Sequence, residues 1–388
     1  MHQRILTTHV GSLPRPERVV TQLFAQDSGL NYDAAEFDRI MAAEVADVVA
    51  RQASSHVDVV SDGEMSKISY ATYIRHRLTG FELGEMPRAV PKDLDDFPDF
   101  KERLAKLGAT PKYHRPICTG PIAVKDLSGL HKDIGNLQAA CAQAAGPGKP
   151  ALRAFMNSAS PGVIAVFQPN TYYPSTEQYL QALADAMTTE YEAIVAAGLD
   201  LQIDAPDLAM GRHIKFRDVD DAEFLRNANL QVEALNHALR NVPAERVRMH
   251  VCWGNYEGPH HHDIGLEKII EVVLKAKPAT VLFEGANPRH AHEWEVWAHA
   301  GREGKIPDNK ILAPGVLDTV NNFIEHPRLV AQRLLTYANI VGRDRVMAAT
   351  DCGFGTFAGF GAIHPPICFA KLASMAEGAE IASKELWK

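Results

Sequence analysis

The strongest constraint on the fold of this chain is an alternation of strand and helix patterns that repeats eight times. Short apolar or β-branched runs, each ending in small or polar residues, are typical of buried parallel strands. These runs lie at residues 4–12, 56–64, 151–162, 199–207, 246–255, 279–287, 310–318 and 344–353. Helical patterns separate most of them, as at 34–55, 177–198, 222–241, 265–277 and 326–342. Eight strand–helix units in 388 residues predict a (β/α)8, or TIM, barrel.

The stretch from about 80 to 150 interrupts this alternation. It contains the segments "GEMPRAVPKDLDDFPDF", "YHRPICTGPIAVKD" and "AAGPGKP", which match neither pattern over their length. We predict a single α/β barrel domain over residues 1–388, with a hairpin and helix inserted after strand two. The insertion is expected to cap one end of the barrel.

Composition excludes several classes of function. The chain is 46% hydrophobic and 23% charged, with a net charge of −8 and no long Lys/Arg cluster that would suit nucleic acid. It has no apolar run of the roughly 18 residues that span a membrane, and no long apolar signal segment. Its five cysteines are scattered, which favours a reduced environment. We expect a cytoplasmic protein whose partners are small molecules, with no nucleic acid and no membrane.

Polar residues at the carboxyl end of each predicted strand mark the expected active site, because a barrel of this type places its site there. A buried core would not favour these side chains. In chain order they are His9 and Ser12, Asp62 and Glu64, Ser158 and Ser160, Asp204 and Asp207, His250 and Cys252, Glu284, Asp318, and Asp351 with Cys352.

Three of these strand ends carry residue types that bind metals. His250 and Cys252 are two residues apart and would point to the same face of strand five, while Cys352 ends strand eight. One imidazole and two thiolates form a zinc ligand set, and Glu284 could supply a fourth ligand that a substrate displaces. An H-x-C pair alone also fits a buried cysteine beside a surface histidine. The convergence of the strand ends favours the zinc site.

Zinc held by thiolates can bind an incoming thiol and lower its pKa, which suits alkyl transfer to sulfur. A zinc hydrolase would more often show several histidines in a motif such as H-E-x-x-H, which is absent. A zinc-free decarboxylase-like barrel would favour arginines at the strand ends, where Arg15 is one of few. A non-catalytic zinc- or thiol-binding module is a third class, and the acids at the strand ends argue against it.

Seven segments, in this order, resemble the catalytic barrel of the cobalamin-independent methionine synthase family: "TTHVGSLPRP", "SDGE", "QIDAPDL", "HVCWGN", "LFEGAN", "PGVLD" and "TDCGFGT". The resemblance covers nearly the whole chain outside 80–150, and the chain looks like a stand-alone catalytic barrel. It implies a zinc-dependent methyltransferase of methionine biosynthesis, of the 5-methyltetrahydropteroyltriglutamate–homocysteine methyltransferase type.

The resemblance also implies roles for individual residues. It makes His250, Cys252 and Cys352 the catalytic zinc ligands, with Glu284 as a further ligand. It assigns the remaining residues to substrate binding: Val10, Gly11 and Ser12 to the carboxylate of the acceptor, Glu64 and Asp204 to its amino group, and Phe167 to the place of a family tryptophan.

The sequence departs from the family pattern on the methyl-donor side. Val320 or Asn321 stands where the family has a histidine proposed to protonate the folate, and Ala205 and Met210 replace two glutamates. The alternative is an enzyme like epoxyalkane:coenzyme M transferase, which resembles the same family and alkylates a sulfonate-bearing thiol. The segment "GRHIKFRD" (211–218) could supply cations for a sulfonate or form a solvated loop.

Three further histidines, His260 to His262, follow strand five directly. They could bind a second metal, contact a substrate or lie on a solvated rim, and the sequence leaves their role and the oligomeric state open. Cys118, Cys141 and Cys368 are predicted to be structural.

Overall fold

A computed structural model of the protein describes residues 3–29, 32–84, 90–106 and 115–388. The strands are β1 (Leu6–Thr7), β2 (Val59–Val60), β3 (Phe81–Gly84), β4 (Arg115–Cys118), β5 (Arg153–Ala159), β6 (Asp200–Asp204), β7 (Val247–Val251), β8 (Thr280–Phe283), β9 (Ile311–Pro314) and β10 (Met347–Ala348). The helices are α1 (Glu17–Ser28), α2 (Ala34–Ser54), α3 (Pro98–Lys106), α4 (Ser128–Ala145), α5 (Pro161–Phe167), α6 (Thr176–Ala196), α7 (Asp221–Ala238), α8 (Leu266–Lys275), α9 (Trp294–Arg302), α10 (Pro327–Val341) and α11 (Pro365–Leu386).

Eight of the strands are parallel and follow one another around a ring. Six form one sheet in the order β2–β5–β6–β7–β8–β9, and β1 pairs with β10. Parallel bridges, such as Gly315 with Ala349, join β9 to β10. The ring continues from β1 to β2 where the amide of Asp58 donates to the carbonyl of Thr7 at 3.2 Å. This arrangement agrees with the predicted α/β barrel.

The eight parallel strands and the five predicted helices form where the sequence pattern predicts them. Every residue of β6 and β7 is buried, because helices cover the outer face of a parallel sheet and side chains fill its interior. Several helices begin at a side-chain cap: Asp33 caps α2, Ser160 caps α5 ahead of Pro161, and Ser175 caps α6. No helix of the described residues is long and apolar enough to cross a membrane.

The predicted insertion contains β3 and β4, which pair antiparallel, and the short helix α3. Residues 85–89 and 107–114 lie outside the described residues. Helix α4, which ends the interrupted stretch, packs against α2 and leads into β5, so it takes the place of a regular barrel helix. The added segment therefore lies between β2 and α4.

Candidate metal centre and substrate cavity

The two cysteines and the histidine predicted to bind zinc come together at the carboxyl ends of β7 and β10. His250, Cys252 and Cys352 each offer one ligand atom, and these atoms lie within 4.8 Å of one another. The two Sγ atoms are 3.7 Å apart, and all three residues are at most 6% exposed. A buried group of one imidazole and two thiols has the donor chemistry that zinc prefers, so these residues fit the ion that the resemblance implies.

The surroundings of the two thiols favour ionisation of one of them. A hydrogen bond from the Cys352 thiol lowers the pKa of Cys252 against the effect of burial, and the Gly254 amide, 3.2 Å from Sγ, acts in the same direction. Donating that bond, together with burial, raises the pKa of Cys352. The His250 ring is held between the Asp351 carbonyl, 3.2 Å from Nε2, and Asp204, 3.8 Å from Nδ1.

Glu284, the predicted fourth ligand, is buried beside this group but does not belong to it. Its Oε1 accepts a hydrogen bond from the amide of Trp253 at 2.8 Å. Its Oε2 accepts bonds from Asn287 at 2.6 Å and Arg289 at 2.7 Å. Burial opposes ionisation, but the charge of Arg289 holds the pKa of Glu284 below its usual range. Ligation by Glu284 stays a prediction.

Asp351 fixes the position of the neighbouring Cys352 relative to the end of β8. Its Oδ1 accepts hydrogen bonds from the amides of Gly285 and Ala286, both at 2.8 Å, and its Oδ2 accepts from the amide of Asn287, also at 2.8 Å. Burial, and then the charge of nearby Glu284, raises the pKa of Asp351 to about 6. This predicted strand-end acid is therefore a structural tie between two strands.

A cavity of about 620 Å³ opens onto the three metal-ligand candidates. Eight of the ten predicted site residues line it, and Gly11 and Glu284 do not. Those that line it are Val10, Ser12, Glu64, Phe167, Asp204, His250, Cys252 and Cys352. Val320 also lines it, at the place where the resemblance expects a histidine, whereas Asn321 turns away and donates to Asp318 at 2.6 Å.

Glu64 differs from Asp204, the other buried acid of the cavity, because one of its oxygens has no hydrogen-bond partner among the described residues. The residue is 2% exposed, and the oxygen without a partner is Oε2. Its backbone has a φ of 55°, which is unfavourable for a residue with a side chain. Burial, and then the charge of Asp204, raises the pKa of Glu64 to about 8. A buried carboxyl group without a hydrogen-bond partner, on a residue with an unfavourable backbone conformation, is typical of a ligand-binding site.

The segment from Val10 to Ser12 lies against the same cavity. The Val10 amide donates to Thr350 Oγ1 at 3.1 Å, so it is already engaged. Gly11 has a φ of 141°, and a Cβ there would approach the Asn157 side chain to 2.3 Å. Only glycine therefore fits at this position. The predicted contact with a carboxylate depends on the rest of the segment.

The inserted segment and an aromatic cluster supply a further part of the cavity lining, most of which sequence reasoning missed. Phe167 lies edge-on to Tyr70 with centroids 5.5 Å apart, and Tyr70 contacts Phe357 at 5.6 Å. The insertion adds a set of mostly apolar lining residues: Val90, Pro91, Leu94, Lys101 and Leu104. No sequence signal placed these residues at the site, since their position depends on how the insertion docks.

A buried carboxylate that lies within 3.0 Å of three histidines was also missed. Asp263 Oδ2 lies 2.9 Å from His260 Nδ1 and 3.0 Å from His290 Nε2, and Oδ1 lies 3.0 Å from His213 Nδ1. Burial lowers the pKa of His290, but its bonds to Asp263 and Glu293 raise it to about 10. His260 is thus part of the framework, and His213 lines the cavity. The excess of histidines was the only sequence signal for this network.

Comparison with known proteins points to the same family as the sequence resemblance. The family model described as the catalytic domain of cobalamin-independent synthase matches residues 5–88. A methionine synthase of Saccharolobus solfataricus is 25% identical over 98% of this chain and 95% of its own length. These matches support the cobalamin-independent synthase family as the family of this chain. A methionine synthase of Sulfurisphaera tokodaii is 22% identical over 98% of this chain and 93% of its own length.

The fold is that of a solved member of the family. The B12-independent methionine synthase from Shewanella sp. W3-18-1, in complex with selenomethionine, superposes with a TM-score of 0.74. It is 19% identical in sequence, and the match covers 99% of both chains. The inserted segment lies within this overall match.

Proposed function

We propose that this protein is a zinc-dependent S-methyltransferase or S-alkyltransferase whose acceptor is homocysteine, as in methionine biosynthesis. The observation that carries the proposal is the buried His250–Cys252–Cys352 group at one end of a cavity that also contains the unpaired carboxyl group of Glu64. The names of its relatives, which are methionine synthases, support the same reaction.

His250, Cys252 and Cys352 would hold the zinc ion, with Glu284 as the predicted further ligand. A zinc ion bound there supplies a Lewis acid that lowers the pKa of an acceptor thiol. Asp204 and the Asp351 carbonyl orient the His250 ring, and the Gly254 amide stabilises the Cys252 thiolate. The sulfur of the acceptor attacks the alkyl carbon of the donor in line, so a C–S bond forms as the bond to the leaving group breaks.

Glu64 and Asp204 would bind the ammonium group of homocysteine. Asp204 already accepts hydrogen bonds from Asn157 at 2.9 Å and Gln202 at 3.2 Å, whereas Glu64 Oε2 is free of protein donors among the described residues. An ammonium group would give Glu64 a charged partner and favour its ionised form. Ser12, which also lines the cavity, would contact the carboxylate of the acceptor.

The contacts of segment 211–218 weaken the coenzyme M alternative. Arg212 bonds to Asp221 at 2.9 Å, Arg217 contacts Asp95, and Lys215 donates to the Ala165 carbonyl at 2.9 Å. These cations are therefore engaged within the protein, and a sulfonate would have to compete for them. A sulfonate would also leave the Glu64 carboxyl group without the charged partner that an ammonium group supplies. Both observations favour an amino-acid thiol.

The test is metal analysis followed by zinc-edge X-ray absorption, with homocysteine and with coenzyme M. We expect about one zinc per chain, and a new sulfur ligand when homocysteine is added. A sulfur ligand that appears only with coenzyme M would make the alternative the correct function. A protein that binds no zinc, or whose zinc shell changes with neither thiol, would contradict the proposal.

A further inference from the structure

The inserted segment meets the barrel along a seam between residues 92–97 and the loop that joins β7 to α8. Buried Asp93 crosses this seam, because its Oδ2 accepts hydrogen bonds from the His260 amide at 2.7 Å and from the Tyr256 hydroxyl. The seam thus begins next to the strand that carries two of the candidate zinc ligands. Along this seam, the part of the insertion that lines the cavity is attached to the barrel.

A second group of metal-binding side chains lies on the same seam. The Nε2 atoms of His261 and His262 are 2.8 and 2.7 Å from one oxygen, Oδ2 of Asp96. The two imidazole rings are 4.3 Å apart, and the Phe97 ring lies edge-on to His261 with centroids 5.6 Å apart. One ligand atom from each of the three polar residues lies within 4.8 Å of the others. The group is open to solvent on one side.

Two imidazole nitrogens and a carboxylate oxygen around one point suit zinc, nickel, cobalt or copper, and the open side leaves room for water ligands. Asp96 comes from the insertion, whereas both histidines come from the barrel loop. We propose that Asp96, His261 and His262 form a second site, for a divalent transition-metal ion, that fastens the insertion to the barrel. The site shares no residue with the His250 group and does not depend on the proposed methyl transfer.

The ion at this site would act on access to the cavity. Val90, Leu94 and Leu104 of the insertion line the cavity, so release of the seam would move one of its walls. An ion that binds only when Asp96 faces the two histidines favours that docked arrangement. It multiplies the equilibrium constant for docking by one plus the ratio of the free ion concentration to its Kd. The site therefore makes closure of the cavity dependent on the metal.

The binding test is calorimetric titration of the full chain with Ni²⁺. In a Cys252→Ala/Cys352→Ala variant, which lacks two of the buried ligands, we expect one equivalent of Ni²⁺ to bind at the seam. Adding His261→Ala and His262→Ala should remove that equivalent. The matched control is His299→Ala, an exposed histidine paired with Glu303 at 3.0 Å, which should leave it in place.

Asp96→Ala in the otherwise unchanged chain gives a second comparison that does not require the cysteine changes, and it should lower the Ni²⁺ stoichiometry by one. Binding that survives the loss of both histidines, or no loss with Asp96→Ala, would overturn the site.

The attachment of the insertion by the ion is tested by amide exchange of residues 90–106. At free Ni²⁺ ten times the Kd, exchange through opening of the seam should slow about tenfold. Bound Ni²⁺ with unchanged exchange would overturn the fastening.

Discussion

The two walls of the cavity are built in different ways. One wall consists of barrel strand ends, where Cys252 and Cys352 are buried and ties such as that of Asp351 to the β8 loop hold the backbone in place. The other wall is the insertion, whose apolar side chains are held along a seam that includes Asp93 and the exposed Asp96. The candidate metal ligands thus lie on the wall held by backbone ties, and we propose that the inserted wall contacts the alkyl donor.

The largest effect should follow from a change on the barrel wall. Cys252→Ala removes a thiolate from the buried ligand group, so we expect zinc to be lost and methyl transfer to fall by about 10³-fold or more, since a Lewis acid contributes several kcal/mol. Cys141→Ala is the control, because Cys141 is a buried free cysteine of α4. Zinc content and turnover are measured on both variants. Full zinc and full turnover with Cys252→Ala would refute the assignment of the barrel wall.

Glu64→Gln should have the next largest effect, and only on acceptors that carry an amino group. Loss of a charge-assisted hydrogen bond costs about 1.5–3 kcal/mol, which corresponds to a rise of about 10- to 100-fold in the KM for homocysteine. A thiol without an amino group, such as 3-mercaptopropionate, should bind the variant and the unchanged protein alike. Equal losses for both thiols would mean that Glu64 supports the wall without binding the ammonium group.

The same substitution should change the pH dependence of folding. The pKa of Glu64 is about 8 in the folded protein, against a usual value of 4.5, so the folded state holds a proton that the unfolded state has released between these pH values. Glu64 therefore lowers the free energy of unfolding as pH rises from about 4.5 to about 8. We expect Glu64→Gln to be more stabilising at pH 8 than at pH 5, by about 3–4 kcal/mol. Denaturant unfolding at both pH values measures it, and equal effects would contradict it.

The smallest effect should come from the inserted wall. Asp93→Ala leaves the Tyr256 hydroxyl and the His260 amide without their acceptor, which loosens the seam at a cost of about 1 kcal/mol or more. We expect the KM for the alkyl donor to rise about threefold to tenfold, with zinc content unchanged. Asp99→Ala, at an exposed position of α3, is the control. A loss of zinc in Asp93→Ala would show that the two walls are not independent.

Much of the barrel wall follows from local sequence. The alternation of strand and helix patterns predicts the parallel barrel, and a barrel places its polar strand ends together. His250 and Cys252 are neighbours on one strand, so their approach to a common point is a property of strand geometry alone. Glu64 could be predicted as a site residue because it also lies at the end of a predicted strand. Its unpaired oxygen and its raised pKa could not be predicted, because both depend on which residues surround it.

The other features of the site depend on contacts between segments far apart in the chain, which form when the barrel closes. Cys352 lies 3.7 Å from Cys252 although 100 residues separate them, and this contact requires β10 to return beside the first strands of the ring. Glu284 matches a ligand by position, yet Arg289 and Asn287 occupy one of its oxygens, which no strand pattern indicates.

The sequence by itself determined the barrel, the strand ends that form the site and the metal-binding types of residue on them, because short-range patterns of side chains encode these features. Only the tertiary structure decided which ligands meet, which acid is left unpaired, and that Asp96 faces two histidines more than 160 residues away. Those outcomes depend on the packing of segments far apart in the chain, and burial then sets the charge and the hydrogen-bond partners of each group.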